Sequence, residues 1–134
     1  KVKLLTYGGN YNKKFDLQPQ VYLANMFSTS AVTCQRDLLV KHGCFDETLM
    51  SAQDYELWLR LSPFLKLKFV NEVLGQYIER DGNITSSGLL RRFVNEIKIA
   101  FIHRKMVSNT LVFMRLIRII ISYIRQFIRS KINI

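Results

Sequence analysis

The spacing of apolar and polar residues divides the chain into a first stretch of short, mixed elements and a second with a sustained helical period. Residues 6–20 carry Gly8-Gly9-Asn10, Asn12, Asp16 and Pro19, turn-forming residues that predict a polar loop. From Val21 to Cys34, β-branched and aromatic residues alternate loosely with Ser and Thr, which predicts one or two short strands. Gln35 to His42 reads as a short helix stopped by Gly43, whose freedom at positive φ suits a helix C-terminus. A second helix runs from Ser51 to Leu61, with Tyr55, Trp58, Leu59 and Leu61 on its buried face and Pro63 closing it. Lys66 to Val70 alternates as a half-buried strand does, Val73 to Ile78 offers another, and Asp81-Gly82-Asn83 is a turn. Beyond Ser86 the period becomes helical, with one helix from about Leu89 to Lys105 and another from Asn109, whose side chain can cap it.

With 134 residues and 49% apolar composition, the chain can bury roughly two thirds of its unfolded surface, enough for one domain. It opens on Lys1 with no signal-peptide pattern, so a segment of a longer protein is expected. Cys34 and Cys44, with only His42 and His103 as other soft ligands, lack zinc-site spacing, and no metal is expected on this chain. Two buried, reduced thiols are favoured over a disulfide between them. The formal charge of +10 is unevenly placed: Glu96 is the last acid, and the eight basic residues after it carry nearly all the excess. That asymmetry calls for an anionic partner of the tail, lipid headgroups or nucleic acid.

The densest motif is Gly43-Cys-Phe-Asp-Glu47, followed by Gln53-Asp-Tyr-Glu-Leu-Trp-Leu-Arg-Leu61 and then by Val73-Leu-Gly-Gln-Tyr77 and Asn83-Ile-Thr85. This order resembles the acceptor side of family 2 inverting glycosyltransferases of the GT-A fold, over residues 21–87. The resemblance implies a mixed α/β (α+β) fold: a partial GT-A domain with short strands over residues 1–88, then a basic, amphipathic extension of two helices over 89–134. It implies inverting transfer from a nucleotide-diphosphate sugar to a glycan or lipid-linked acceptor, with Asp54 as catalytic base. It also implies Mg²⁺ or Mn²⁺ for the complete enzyme, held mainly by a donor half whose Asp-x-Asp has no counterpart in this sequence, so this chain alone is expected to be inactive and to bind no metal.

Elementary chemistry fits that role. Inversion needs one carboxylate to take the acceptor hydroxyl's proton as its oxygen attacks the anomeric carbon, and a carboxylate in a first helical turn faces free backbone N–H groups. Ser51 and Asp54 equally fit a capping box, in which the acid only closes the helix start. Gln53 stands where the family has glutamate, and Arg80 where many members have a metal-binding histidine. A guanidinium can clamp phosphate oxygens, so Arg80 is either a diphosphate ligand or a solvated surface arginine. Asp46 and Glu47 either line the acceptor pocket beside Gln53 or are turn residues. Trp58 is expected in the core rather than as a sugar platform. Glu56 and Arg60, four apart, are placed to pair along the helix.

Within residues 111–134 the longest uncharged run is Ile119 to Ile124, well short of the roughly 20 residues a membrane span needs. On a helical wheel Arg115, Arg118, Arg125 and Arg129 share one stripe with Ser122 and Gln126, and aliphatic residues fill the rest. This pattern suits a helix lying on an anionic membrane, and predicts a cytoplasmic protein peripheral to the inner membrane face; the rival is packing on protein. Two other functions compete: a non-catalytic membrane-surface adaptor, and a nucleic-acid binder. The second is disfavoured because Tyr123 and Phe127 fall on the apolar face instead of among the charges.

Overall fold

In the computed structural model, residues 2–3, 11–70, 72, 77–78 and 88–132 are described. Their architecture is mostly helical. Helices α1 (Leu17–Leu23), α2 (Arg36–Lys41), α3 (Gln53–Leu61), α4 (Leu89–Ile102) and α5 (Asn109–Ile132) follow one another, with single 3-10 turns at Thr29–Ala31, Ser62–Phe64 and Arg104–Met106. Among the described residues strand is confined to a two-residue pairing, β1 (Val2–Lys3) antiparallel to β2 (Tyr77–Ile78), with Val2 opposite Ile78.

The mixed α/β, GT-A-like architecture expected from the sequence is therefore corrected. The first three residues of the predicted Val21–Cys34 strand region belong to α1, where Val21 and Tyr22 are fully buried and Pro19 sits in the first turn, which needs no N–H from it. The remainder runs extended around a 3-10 turn with no ladder among the described residues. Lys66–Val70 likewise has no ladder among the described residues, and both Phe69 and Val70 are exposed, so the alternation there does not produce a half-buried strand. Of the Val73–Ile78 strand only Tyr77–Ile78 is described, and Arg80 and the turn at 81–83 lie outside the described residues, as do residues 6–10 of the polar loop.

The helical expectations fare better. Helix α2 ends where Gly43 adopts φ +88°, and α4 ends at Ile102, three residues before the expected Lys105. Helix α5 begins at Asn109, but the cap is one residue earlier: Ser108 Oγ accepts the Leu111 N–H at 3.4 Å. Cys34 and Cys44 are free thiols as expected, yet neither is buried: Cys34 is half-buried, and Cys44 is exposed because it stands in the turn after Gly43 at φ 51°.

One apolar cluster joins α1, α3, α4 and α5. It holds Val21, Tyr22, Leu57, Leu59 and Leu61 from the first part of the chain with Ile99, Ala100, Ile119 and Tyr123 from the last two helices. Two tyrosines cross-link this core through main-chain carbonyls: Tyr55 Oη donates to the Tyr22 carbonyl at 2.6 Å, and Tyr22 Oη donates to that of Ala100 at 2.8 Å. Burial raises the pKa of both hydroxyls, so they remain donors. The start of α3 is fixed to α4 as well, since Asn95 Nδ2 donates to Ser51 Oγ at 2.9 Å.

Candidate functional site

Asp54 is the second residue of α3, and the helix enters through Ala52 in the left-handed region, φ 59°, without a side-chain cap. Ser51 does not cap, because the N-cap position falls on Ala52 and the Ser51 hydroxyl is turned to accept from Asn95, so the capping-box alternative for Asp54 fails. The carboxylate is instead partly exposed and tied to the loop that follows α1. Thr29 Oγ1 donates to its Oδ2 at 3.1 Å, Asn25 Nδ2 approaches the same oxygen at 3.5 Å, and Oδ1 accepts the Tyr55 N–H at 2.8 Å. Asn25 is itself held, since its Oδ1 accepts the Phe27 N–H at 3.1 Å. Both Asn25 and Thr29 are exposed, so the carboxylate they flank sits at a solvent-open edge. Neither residue was identified from the sequence, where their segment read as strand; only the hydroxyl run Ser28-Thr29-Ser30, with Asn25 shortly before it, hints at a polar site.

The other sequence candidates divide. Gln53 uses its Nε2 on the Leu49 carbonyl, which holds the preceding turn against the helix. Asp46 is a turn residue: its Oδ1 accepts the Thr48 hydroxyl at 2.7 Å and the Thr48 N–H at 2.9 Å. Those two bonds, the hydroxyl's first, hold the Asp46 pKa below its ordinary value. Glu47 is exposed, and Phe45 is 44% exposed, which rules it out as a core anchor. Trp58 is buried, edge-on to Phe27 at 5.8 Å between centroids, as a core residue should be, although its Nε1 has no partner among the described residues.

Glu56 and Arg60 do pair, at 2.8 Å, but inside the fold rather than on a helix surface. Glu56 is 6% exposed, and its Oε1 also meets His103 Nε2 at 3.0 Å, which fastens α3 to the end of α4. Arg60 continues the network by donating to the His42 carbonyl and, at 2.6 Å, to that of Cys44. Burial by itself would raise the Glu56 pKa, but the hydrogen bonds from His103 and Arg60 outweigh it and hold it down at about 2.

On the tail, Arg115 is corrected. It was expected to face a membrane with Arg118, Arg125 and Arg129, but it is 7% exposed and points inward. Its Nη1 donates to the Leu23 carbonyl at 2.8 Å, its Nη2 meets Glu96 Oε2 at 2.9 Å, and its guanidinium lies 4.8 Å from the centroid of the Tyr55 ring. Tyr123 completes this seam by donating to Glu96 Oε1 at 3.2 Å, and burial together with the Glu96 charge pushes its pKa up to about 12. Arg118, Arg125 and Arg129 remain exposed and line a groove along α5 with Ile121, Ser122 and Gln126, remote in sequence from the Asp54 loop. Among the described residues no helix is long and apolar enough to cross a membrane, and no three His, Cys, Asp or Glu side chains are grouped to hold a metal ion. Compared with protein-family models, curated proteins and solved structures, the chain matches none.

Proposed function

We propose that this chain supplies the acceptor side of an inverting glycosyl transfer, with Asp54 as the general base. The acceptor is a glycan or lipid-linked hydroxyl and the donor a nucleotide-diphosphate sugar. As the acceptor oxygen bonds to the anomeric carbon, the bond to the diphosphate breaks and the hydroxyl proton passes to the Asp54 carboxylate. The carrying observation is that Asp54 forms no capping box with Ser51 and lies at a solvent-open edge, where Oδ1 accepts the first-turn Tyr55 N–H and Oδ2 is oriented by Thr29. The helical fold lends this reading no support; it stands on the motif and on Asp54. Binding of the donor diphosphate and of any Mg²⁺ or Mn²⁺ is assigned to a nucleotide-binding unit acting together with this chain, because the sequence contains no Asp-x-Asp. Arg80, Asp46, Glu47 and Gln53 are secondary candidates for contact with substrate.

The test is Asp54→Asn in the protein as it occurs in its cell, assayed for release of nucleoside diphosphate from a panel of nucleotide sugars in a membrane extract that supplies acceptors. Loss of a proton acceptor should lower turnover by a factor of about 10²–10⁴ with only a small drop in the thermal unfolding midpoint, since the asparagine oxygen can keep one of the two bonds, from Thr29 or from the Tyr55 N–H, but not both. Unchanged turnover would remove Asp54 from catalysis and leave the non-catalytic adaptor as the better reading.

A further inference from the structure

The surface of α5 carries an apolar strip that the other described residues leave exposed. Arg115, Ile119 and Tyr123 form the buried seam against the body of the protein. At about 100° per residue, the opposite sector holds Phe113, Ile117, Ile120, Ile121, Ile124 and Ile128, each between 39% and 65% exposed. Arg118, Arg125 and Arg129 follow directly along one border of that sector, also exposed. The strip therefore has apolar area at its centre and a one-signed row of charge on its edge.

Charge decides what can cover it. No acidic residue follows Glu96, and Glu96 itself is engaged by Arg115 and Tyr123, so a second copy docking through the same sector has no carboxylate on α5 to offer the arginines. An anionic bilayer supplies both requirements at once, headgroup phosphates for the guanidinium row and an acyl boundary for the isoleucines. We propose that α5 docks on anionic lipid by this face, lying in the plane of the interface with the isoleucine side chains about 5–10 Å deep. Arg115 takes no part, because its guanidinium is spent inside the fold. The proposal is independent of catalysis at Asp54.

Co-sedimentation of the full chain with vesicles of phosphatidylcholine, alone or mixed with phosphatidylglycerol, tests it. The wild type should bind the mixed vesicles and release from them as salt is raised. Replacing Arg118, Arg125 and Arg129 together by glutamine should weaken that binding on the order of a hundredfold, about fivefold for each charge near the surface. Ile120→Ser with Ile124→Ser should weaken it about tenfold per residue on the same vesicles, with helix content by circular dichroism unchanged because both sites are exposed. Binding that ignores phosphatidylglycerol, or a glutamine variant that binds like the wild type, overturns the proposal. So does an absence of vesicle binding accompanied by dimerisation that the serine variant abolishes, which would assign the strip to a second copy.

Discussion

Glu56 is the residue whose loss should be felt most widely, because one buried carboxylate connects three parts of the chain. Its two oxygens hold His103 at the end of α4 and Arg60 on α3, and Arg60 in turn holds the carbonyls of His42 and Cys44. Its pKa of about 2, against an ordinary 4.5, corresponds to on the order of 3 kcal/mol favouring the ionised form in the fold. The sign follows from the depressed value: the contribution is complete above pH 4.5 and is lost as pH falls toward 2. Glu56→Gln keeps the side-chain shape but removes the charge, and leaves the Arg60 guanidinium without its counter-ion. Urea unfolding followed by circular dichroism, at a series of pH values from neutral to acid, should show the variant about 3 kcal/mol less stable at neutral pH. The gap between the two proteins should then close on acidification, since the wild type gives up by protonation what the variant already lacks. A gap that stays constant with pH would refute the assignment of stability to the ionised Glu56, and the cost would have to be reassigned to packing.

Two further substitutions probe the frame around the site. Gly43→Ala places a side chain at φ +88° and its Cβ within 3.3 Å of Arg60 Nη1, so a loss of about 1–2 kcal/mol is expected in thermal unfolding. A neutral result would mean that the turn relaxes without cost. Arg115→Met preserves the aliphatic stem but strips the Leu23 carbonyl and Glu96 of a partner, and should cost about 3 kcal/mol in denaturant titration. A surface-like loss of a few tenths would show that this arginine is not structurally committed.

Much of the helical content was legible in the sequence, and the reason lies in local signals. Gly43 stops α2, α3 shows its apolar face, and α4 and α5 are long enough for the period of 3.6 to repeat several times. Helix α1 was misread because its seven residues span too few turns to distinguish a helical period from loose alternation, and its proline argued against it. The strand at Lys66–Val70 was misread for a different reason: alternation describes a face, whereas a strand also needs an edge to pair with, which no local pattern reports. Asp54 was legible from its motif, but its partners Thr29 and Asn25 come from 25 and 29 residues away and depend on how α1 packs.

Arg115 shows most clearly why a wheel is insufficient. By angle it belongs to the arginine stripe of α5, yet the same angle also borders the buried seam of Ile119 and Tyr123, and a long side chain at a border can serve either environment. What pulls it inward is a set of acceptors invisible to the pattern: the end carbonyl of α1, a carboxylate on α4 and the face of Tyr55. Those contacts have a geometric consequence for the candidate site. Leu23 lies two residues before Asn25, and Tyr55 is the neighbour of Asp54, so the arginine of the tail helix grips both segments that converge on the carboxylate. Helix α5 is therefore part of the frame that sets the position of Asp54, and a perturbation of its inner face reaches that carboxylate through two short routes, one along the α1 loop and one through the first turn of α3.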